Sequence, residues 1–161
     1  MHAGSPTERA YAVVARVCDP ELPFLSVVDL GILRGLDVDD DGAVHVRLTP
    51  TYSGCPATET IERDVTDALT AAGFDRVHLV QELSPPWTTD AITEAGRIAM
   101  QRHGIAPPGG DANRFFEAPA VRCPRCGATE THCVSRFGST ACKALYACDR
   151  CLEPFDHFRC R

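Results

Sequence analysis

Two cysteine pairs, Cys123-Pro124-Arg125-Cys126 and Cys148-Asp149-Arg150-Cys151, stand twenty-one residues apart and constrain this chain more than any other feature. Each CxxC turn brings two sulfurs about one ion diameter apart, and four thiolates at this spacing form the tetrahedral set that structural zinc prefers. Gly127 follows the first pair and eases the tight turn that aims backbone amides at sulfur. A redox dithiol or an iron site are the other readings of the same pattern. With all four positions filled by protein, zinc has no open place for water, so its expected role is to hold the fold.

Seven of the nine cysteines fall after Val121. A segment of about forty residues rarely buries enough apolar surface for a core of its own and needs a staple, either disulfides or a metal. The start, MHAGSPTERAY, lacks a basic stretch followed by an apolar run. No apolar stretch approaches the ~20 residues that cross a bilayer. The expectation is a cytoplasmic protein with no membrane segment, where thiols stay reduced and a metal is the staple. Cys133, Cys142 and Cys160 are left over, with His132 and His157 nearby. Cys142, His157 and Cys160 could form a second metal site, or the extra thiols could be idle; both readings stay open.

The formal charge of -6 is uneven: residues 1–118 carry 9 basic and 18 acidic side chains, residues 119–161 carry 7 and 4. A basic tail with Phe137, Tyr146, Phe155 and Phe158 has the makings of a nucleic-acid surface. Four thiolates around one divalent ion offset most of that charge, however, and the aromatics suit the small core of a ribbon, so no nucleic-acid partner is expected.

Along the first two thirds, hydrophobic spacing predicts alternating elements. Ser5-Pro6-Thr7-Glu8 reads as a capping box opening a helix to about Val17, with Ala10, Val13, Val14 and Val17 on its buried face. Ile32 to Val38 and Val44 to Leu48 alternate as two half-buried strands around the turn Asp39-Asp40-Asp41-Gly42. Pro56 opens a second helix with Ile61, Val65, Ala68, Leu69 and Ala72 inside, stopped by Gly73. A strand from Val77 to Leu83 follows. Thr89 is expected to cap a last helix from about Asp90 to His103, with Gly104 closing it. Pro107, Pro108, Gly109 and Gly110 have linker composition.

The predicted fold is therefore α+β: a small three-stranded mixed sheet with packed helices in the order helix, strand, strand, helix, strand, helix, followed by a zinc ribbon. The expected boundaries are a first domain over residues 1–105, a linker over 106–120 and the ribbon over 121–161.

Cys55 immediately precedes the proline-opened helix, where the helix end and its free amides favour an anion. Thr49, Thr51, Tyr52 and Ser53 offer hydroxyls around it, and Gly54 leaves room for a ligand. Spacing alone leaves a reactive thiol and an ordinary half-buried cysteine both open. Cys18, at the end of the first helix, reads as core. There is no Ser-His-Asp order, no phosphate-binding glycine loop and no paired-histidine motif. His45 and His78, the candidates for a base, sit in strand patterns facing solvent.

Asp19-Pro20-Glu21, Ser26-Val27-Val28-Asp29-Leu30-Gly31 and Thr49-Pro50-Thr51-Tyr52-Ser53-Gly54-Cys55-Pro56 resemble the MIP18-type domain of iron-sulfur assembly factors, over about residues 7–105. Phe137 to Tyr146 and Glu153-Pro154-Phe155-Asp156-His157-Phe158 resemble the tail of accessory proteins of the phenylacetyl-CoA epoxidase system. The resemblance implies a non-enzymatic accessory factor that assembles or transfers iron or an iron-sulfur cluster. Its implied partners are the epoxidase subunits, above all their iron-sulfur reductase. It places the motif cysteine on Cys55, with Asp19, Glu21, Asp29 and Thr51 on the accompanying motifs. Asp19 and Asp29 read equally well as turn caps. A lone thiolate leaves most iron positions to a dimer mate, a small thiol or a client protein, so self-association or partner docking is expected. The competing reading is a docking adaptor of the oxygenase in which Cys55 is inert.

Overall fold

The computed structural model describes residues 4–109 and 120–159. Contacts divide the chain between Trp87 and Thr88 into two units, each described by itself.

In the first unit, helix α1 (Pro6–Val14) begins with the expected capping box. The Glu8 amide donates to Ser5 Oγ at 3.2 Å, and the Ser5 amide donates to Glu8 Oε2 at 2.7 Å. The helix stops three residues before the expected Val17. Arg16 and Val17 instead bond to Val13 and Val14, tightening the last turn. That turn swings the chain into a bridge between Cys18 and Ser26.

Strands β1 (Leu33–Val38) and β2 (Val44–Leu48) form the predicted hairpin, in register from Val38 opposite Val44 to Gly35 opposite Arg47, with a one-residue shift before Leu33 meets Leu48. Gly42 turns it at a φ of 80°, and Asp39 fixes it by accepting from the Ala43 amide at 2.8 Å. His45 and His78 stack on the open face of the sheet with ring centroids 5.1 Å apart, as their strand parity implied.

Helix α2 (Ala57–Ala71) carries the chain back so that β3 (Val77–Gln81) pairs parallel to β2. The sheet order is β1-β2-β3, with Leu48 beside Gln81 at one end. Ala57, Ile61, Val65 and Leu69 recur every four residues and bury one stripe of α2. The three larger side chains are worth on the order of 2 kcal/mol each in apolar burial. Trp87 closes the unit by donating its indole N–H to the Leu30 carbonyl at 2.8 Å.

In the second unit the last helix starts later than predicted. Thr89–Ala91 is a single 3-10 turn, and Thr93 caps α3 (Glu94–Arg102) by accepting from the Gly96 amide at 3.0 Å. The short strand β4 (Ile105–Ala106) then joins the ribbon strands β5 (Thr131–Ser135), β6 (Lys143–Cys148) and β7 (Pro154–Phe158) in the order β4-β7-β6-β5. This pairing groups α3 with the ribbon by contact, whereas the sequence reading grouped residues 88–105 with the first domain. Most of the expected linker, residues 110–119, lies outside the described residues, as does Cys160.

The ribbon's core is small: Ala106, Val121, Cys123, Ala128, Cys148 and Phe155, with Tyr146 and Cys151 against it. Phe158 is buried as expected of a core aromatic, but Phe137 is 67% exposed. It sits in the turn between β5 and β6, where no facing layer covers it. Among the described residues, no helix is long and apolar enough to cross a membrane.

Candidate functional site

The loop from Thr49 to Pro56 joins the end of β2 to the start of α2. Pro56 takes the cap position of α2 and has no side-chain acceptor to offer, so Cys55 stands one residue outside the helix. The Cys55 amide donates to the Tyr52 carbonyl at 3.3 Å, and the Cys55 carbonyl accepts from the Thr58 amide at 3.1 Å. Gly54 makes this turn at a φ of 80° in open space.

Cys55 lines a small cleft with Asp19, Thr49, Thr51, Thr58 and Gln81 over an apolar floor that includes Ile32, Leu48 and Ile61. Three of the five residues singled out in the sequence therefore meet in one place: Cys55, Asp19 and Thr51. Glu21 and Asp29 do not line it. Asp19 caps its own turn, its Oδ1 accepting from the amides of Glu21 at 2.8 Å and Leu22 at 2.9 Å. Asp29 accepts from the Ser26 amide at 3.0 Å and the Ser26 hydroxyl at 2.7 Å. Both acids thus perform the turn capping that sequence allowed, and Asp19 does so from the wall of the cleft. Cys18 is half-buried, not core, with its thiol 3.6 Å from the Arg16 carbonyl.

Sequence reasoning did not single out Thr58 or Gln81. Thr58 could have been found from its place in the first turn of α2, immediately after the loop. Gln81 becomes a neighbour of the loop only through the parallel register that sets it beside Leu48.

In the ribbon, the sulfurs of Cys123, Cys126, Cys148 and Cys151 all lie within 4.8 Å of one another. Cys123 Sγ is 3.7 Å from Cys151 Sγ, and Cys126 Sγ is 3.6 Å from Cys148 Sγ. A tetrahedral ion with metal-sulfur bonds of about 2.3 Å spaces its ligands about 3.8 Å apart, so the four thiols fit such an ion. Their ionisation points the same way. The Cys151 amide, donating to Cys148 Sγ at 3.5 Å, is the main reason the Cys148 thiol is held down to about 7. At Cys151 the Glu153 amide favours the thiolate, but burial and the neighbouring sulfurs push the thiol up to about 12. Sulfurs this close cannot all ionise without a cation among them.

Among the described residues, no other three His, Cys, Asp or Glu side chains converge in this way. Cys142 sits 3.1 Å from Thr140 Oγ1, and Cys133 is exposed. His157 is buried, with Nδ1 3.2 Å from the Ala106 carbonyl.

Residues 7–79 match the iron-sulfur cluster assembly protein family, and residues 108–159 match the PaaD zinc beta ribbon domain. An Escherichia coli K12 protein named for a role as a 1,2-phenylacetyl-CoA epoxidase subunit is 47% identical over 150 residues, 93% of this chain and 90% of that one. The Fe-S protein maturation auxiliary factor YitW of Bacillus subtilis is 34% identical over 96 residues, 58% of this chain and 91% of its own. A crystal structure of the domain of unknown function DUF59 from Bacillus anthracis superposes with a TM-score of 0.56 at 26% identity, covering 60% of this chain and 92% of that one.

Proposed function

This chain belongs to the PaaD family, an iron-sulfur cluster assembly domain joined to a zinc beta ribbon, and from that premise we propose that it is a maturation factor that carries iron or a cluster on Cys55 and hands it to the phenylacetyl-CoA epoxidase system. The observation that carries this reading is the meeting of Cys55, Asp19 and Thr51 with the buried Thr49 hydroxyl on one cleft. A thiolate and a carboxylate are donors for iron, and one cysteine leaves most of the metal's positions for a receiver to fill. Such a site suits passing cargo on better than storing it. Glu21 and Asp29 lie off the cleft, Asp29 capping the turn at Ser26, and the missing ligands come from a second copy or from the client.

In the same reading the ribbon holds zinc as a structural ion, because four closed thiolate positions leave no place for water or substrate. The chain therefore supports an oxygenase without catalysing its reaction, and it works in the cytoplasm, where its thiols stay reduced. The receiver in this reading is the iron-sulfur reductase of the system; the epoxidase name of the Escherichia coli relative supports a partner in that system, and the name of the Bacillus subtilis one supports a maturation role.

The deciding experiment deletes the gene, restores either the native chain or Cys55→Ser, and measures cluster content of the reductase purified from each strain. The native chain restores cluster and Cys55→Ser does not. Full loading in the deletion strain would end the maturation reading, and full rescue by Cys55→Ser would leave a docking adaptor with an inert thiol.

A further inference from the structure

Resting on the transfer reading above, we infer that the Cys55 cleft takes a single ferrous ion and not a preassembled cluster. The space open to the centre of a water-sized sphere is about 20 Å³. That is little more than the ~10–15 Å³ that one water requires. Even the smallest iron-sulfur cluster brings two irons and two bridging sulfides, four heavy atoms where the enclosed part of the cleft has room for about one water.

The donors agree with the size. Cys55 as thiolate and Asp19 as carboxylate supply two negative charges, which balance one divalent ion and leave no net charge in a mostly apolar cleft. Clusters are held chiefly by sulfur, whereas this wall mixes one sulfur with oxygens.

Thr49 gives an independent indication that something polar belongs there. It is 1% exposed, it lines the cleft, and its Oγ1 has no hydrogen-bond partner among the described residues. Its amide donates to the Ile32 carbonyl at 2.9 Å, which fixes the backbone from which the hydroxyl projects. A buried hydroxyl left without a partner is costly, and a ligand in the cleft removes that cost. Thr49 then contacts the ion, or a water bound to it, as a positioning residue.

The test uses the full-length chain, its ribbon loaded with zinc beforehand, titrated anaerobically with ferrous ion in the absence of sulfide. One iron binds per chain, and Cys55→Ser loses it. Thr49→Val, nearly the same size, binds about ten- to a hundredfold more weakly, the usual effect of removing a metal-supporting contact. Thr49→Ser, which keeps the hydroxyl, binds like the native chain. If Thr49→Val does not fold, the native stoichiometry and its loss in Cys55→Ser still decide the matter. Iron that binds only together with equimolar inorganic sulfide overturns the single-ion inference and leaves the transfer reading standing. Absence of any Cys55-dependent iron or cluster overturns both. Native-strength iron binding by Thr49→Val means that the hydroxyl is satisfied by an ordinary buried water, and its assigned role falls.

Discussion

Gly127 and Leu152 occupy the same place in the two cysteine turns, one residue after the second cysteine of each pair, and both have positive φ, 75° and 61°. Their hydrogen bonds match as well. Gly127 donates to the Cys123 carbonyl at 2.9 Å and Leu152 to the Cys148 carbonyl at 3.0 Å, while the Cys123 and Cys148 amides donate to Ala128 at 2.9 Å and Glu153 at 3.1 Å. One turn is used twice around the four sulfurs, with glycine in the first copy alone.

A left-handed backbone costs a non-glycine residue roughly 1–2 kcal/mol, and Leu152, 82% exposed, recovers little of that by packing. Leu152→Gly should therefore stabilise the metal-loaded ribbon by about 0.5 kcal/mol, after the freedom that glycine returns to the unfolded chain. Gly127→Ala should destabilise it by about 1 kcal/mol. Denaturant unfolding of the two variants beside the native chain checks both signs.

Removing the metal should cost the ribbon its fold. Its core of six side chains, all but Phe155 small or medium, includes two of the ligands, Cys123 and Cys148, so the ion and the core are one structure. A strong chelator, or Cys148→Ser, should abolish protection of the β5, β6 and β7 amides from hydrogen exchange. Protection in α2 and β2, which belong to the first unit, should persist. Loss of protection in both units together would show that the first does not stand alone.

His157 sets a pH dependence. Burial holds its imidazole below the usual value, the Arg159 charge pushes the same way, and the Ala106 carbonyl partly opposes them by accepting from Nδ1–H. The unfolded chain thus takes up a proton near pH 6.5 that the folded chain refuses. The stabilisation is present above that pH and is lost as pH falls through it toward the folded value, at no more than about 1.4 kcal/mol per pH unit. Protonation of the zinc thiolates acts in the same direction, so the diagnostic is a difference. His157→Gln should flatten the slope just below about pH 6.5 relative to the native chain.

What sequence made legible follows from how local each signal is. The capping box of α1, the Asp39–Gly42 turn and the four-cysteine set are decided within a few residues or by ligand chemistry, and all three stand where spacing put them. The end of α1, the start of α3 and the exposure of Phe137 depend on which distant segment covers a residue, and there the spacing misled. The cleft lies between these cases. Cys55, Thr49 and Thr51 share one loop, but Asp19 and Gln81 reach it only through the fold. Leu152 was missed for another reason: a positive φ carries a sequence signal when the residue is glycine, and here it is not.

Cys55 should be the faster of the two half-exposed thiols in the first unit. Both are accessible to a small alkylating agent, so accessibility alone predicts little difference. Cys18 lies past the C-terminal turn of α1, with its thiol tied back to the Arg16 carbonyl at 3.6 Å. Cys55 precedes the amide-rich start of α2, whose cap residue, proline, offers no competing acceptor. The exposed Cys133 would label as well, so the measurement belongs in a Cys133→Ser background with zinc bound to shield the four ribbon cysteines. Under mild iodoacetamide at about pH 7, peptide mapping should show Cys55 modified faster than Cys18, whose thiol must first leave the Arg16 carbonyl. Prior addition of ferrous ion should slow Cys55 and leave Cys18 unchanged. Equal rates, with no protection by iron, would remove the chemical basis for transfer through this thiol.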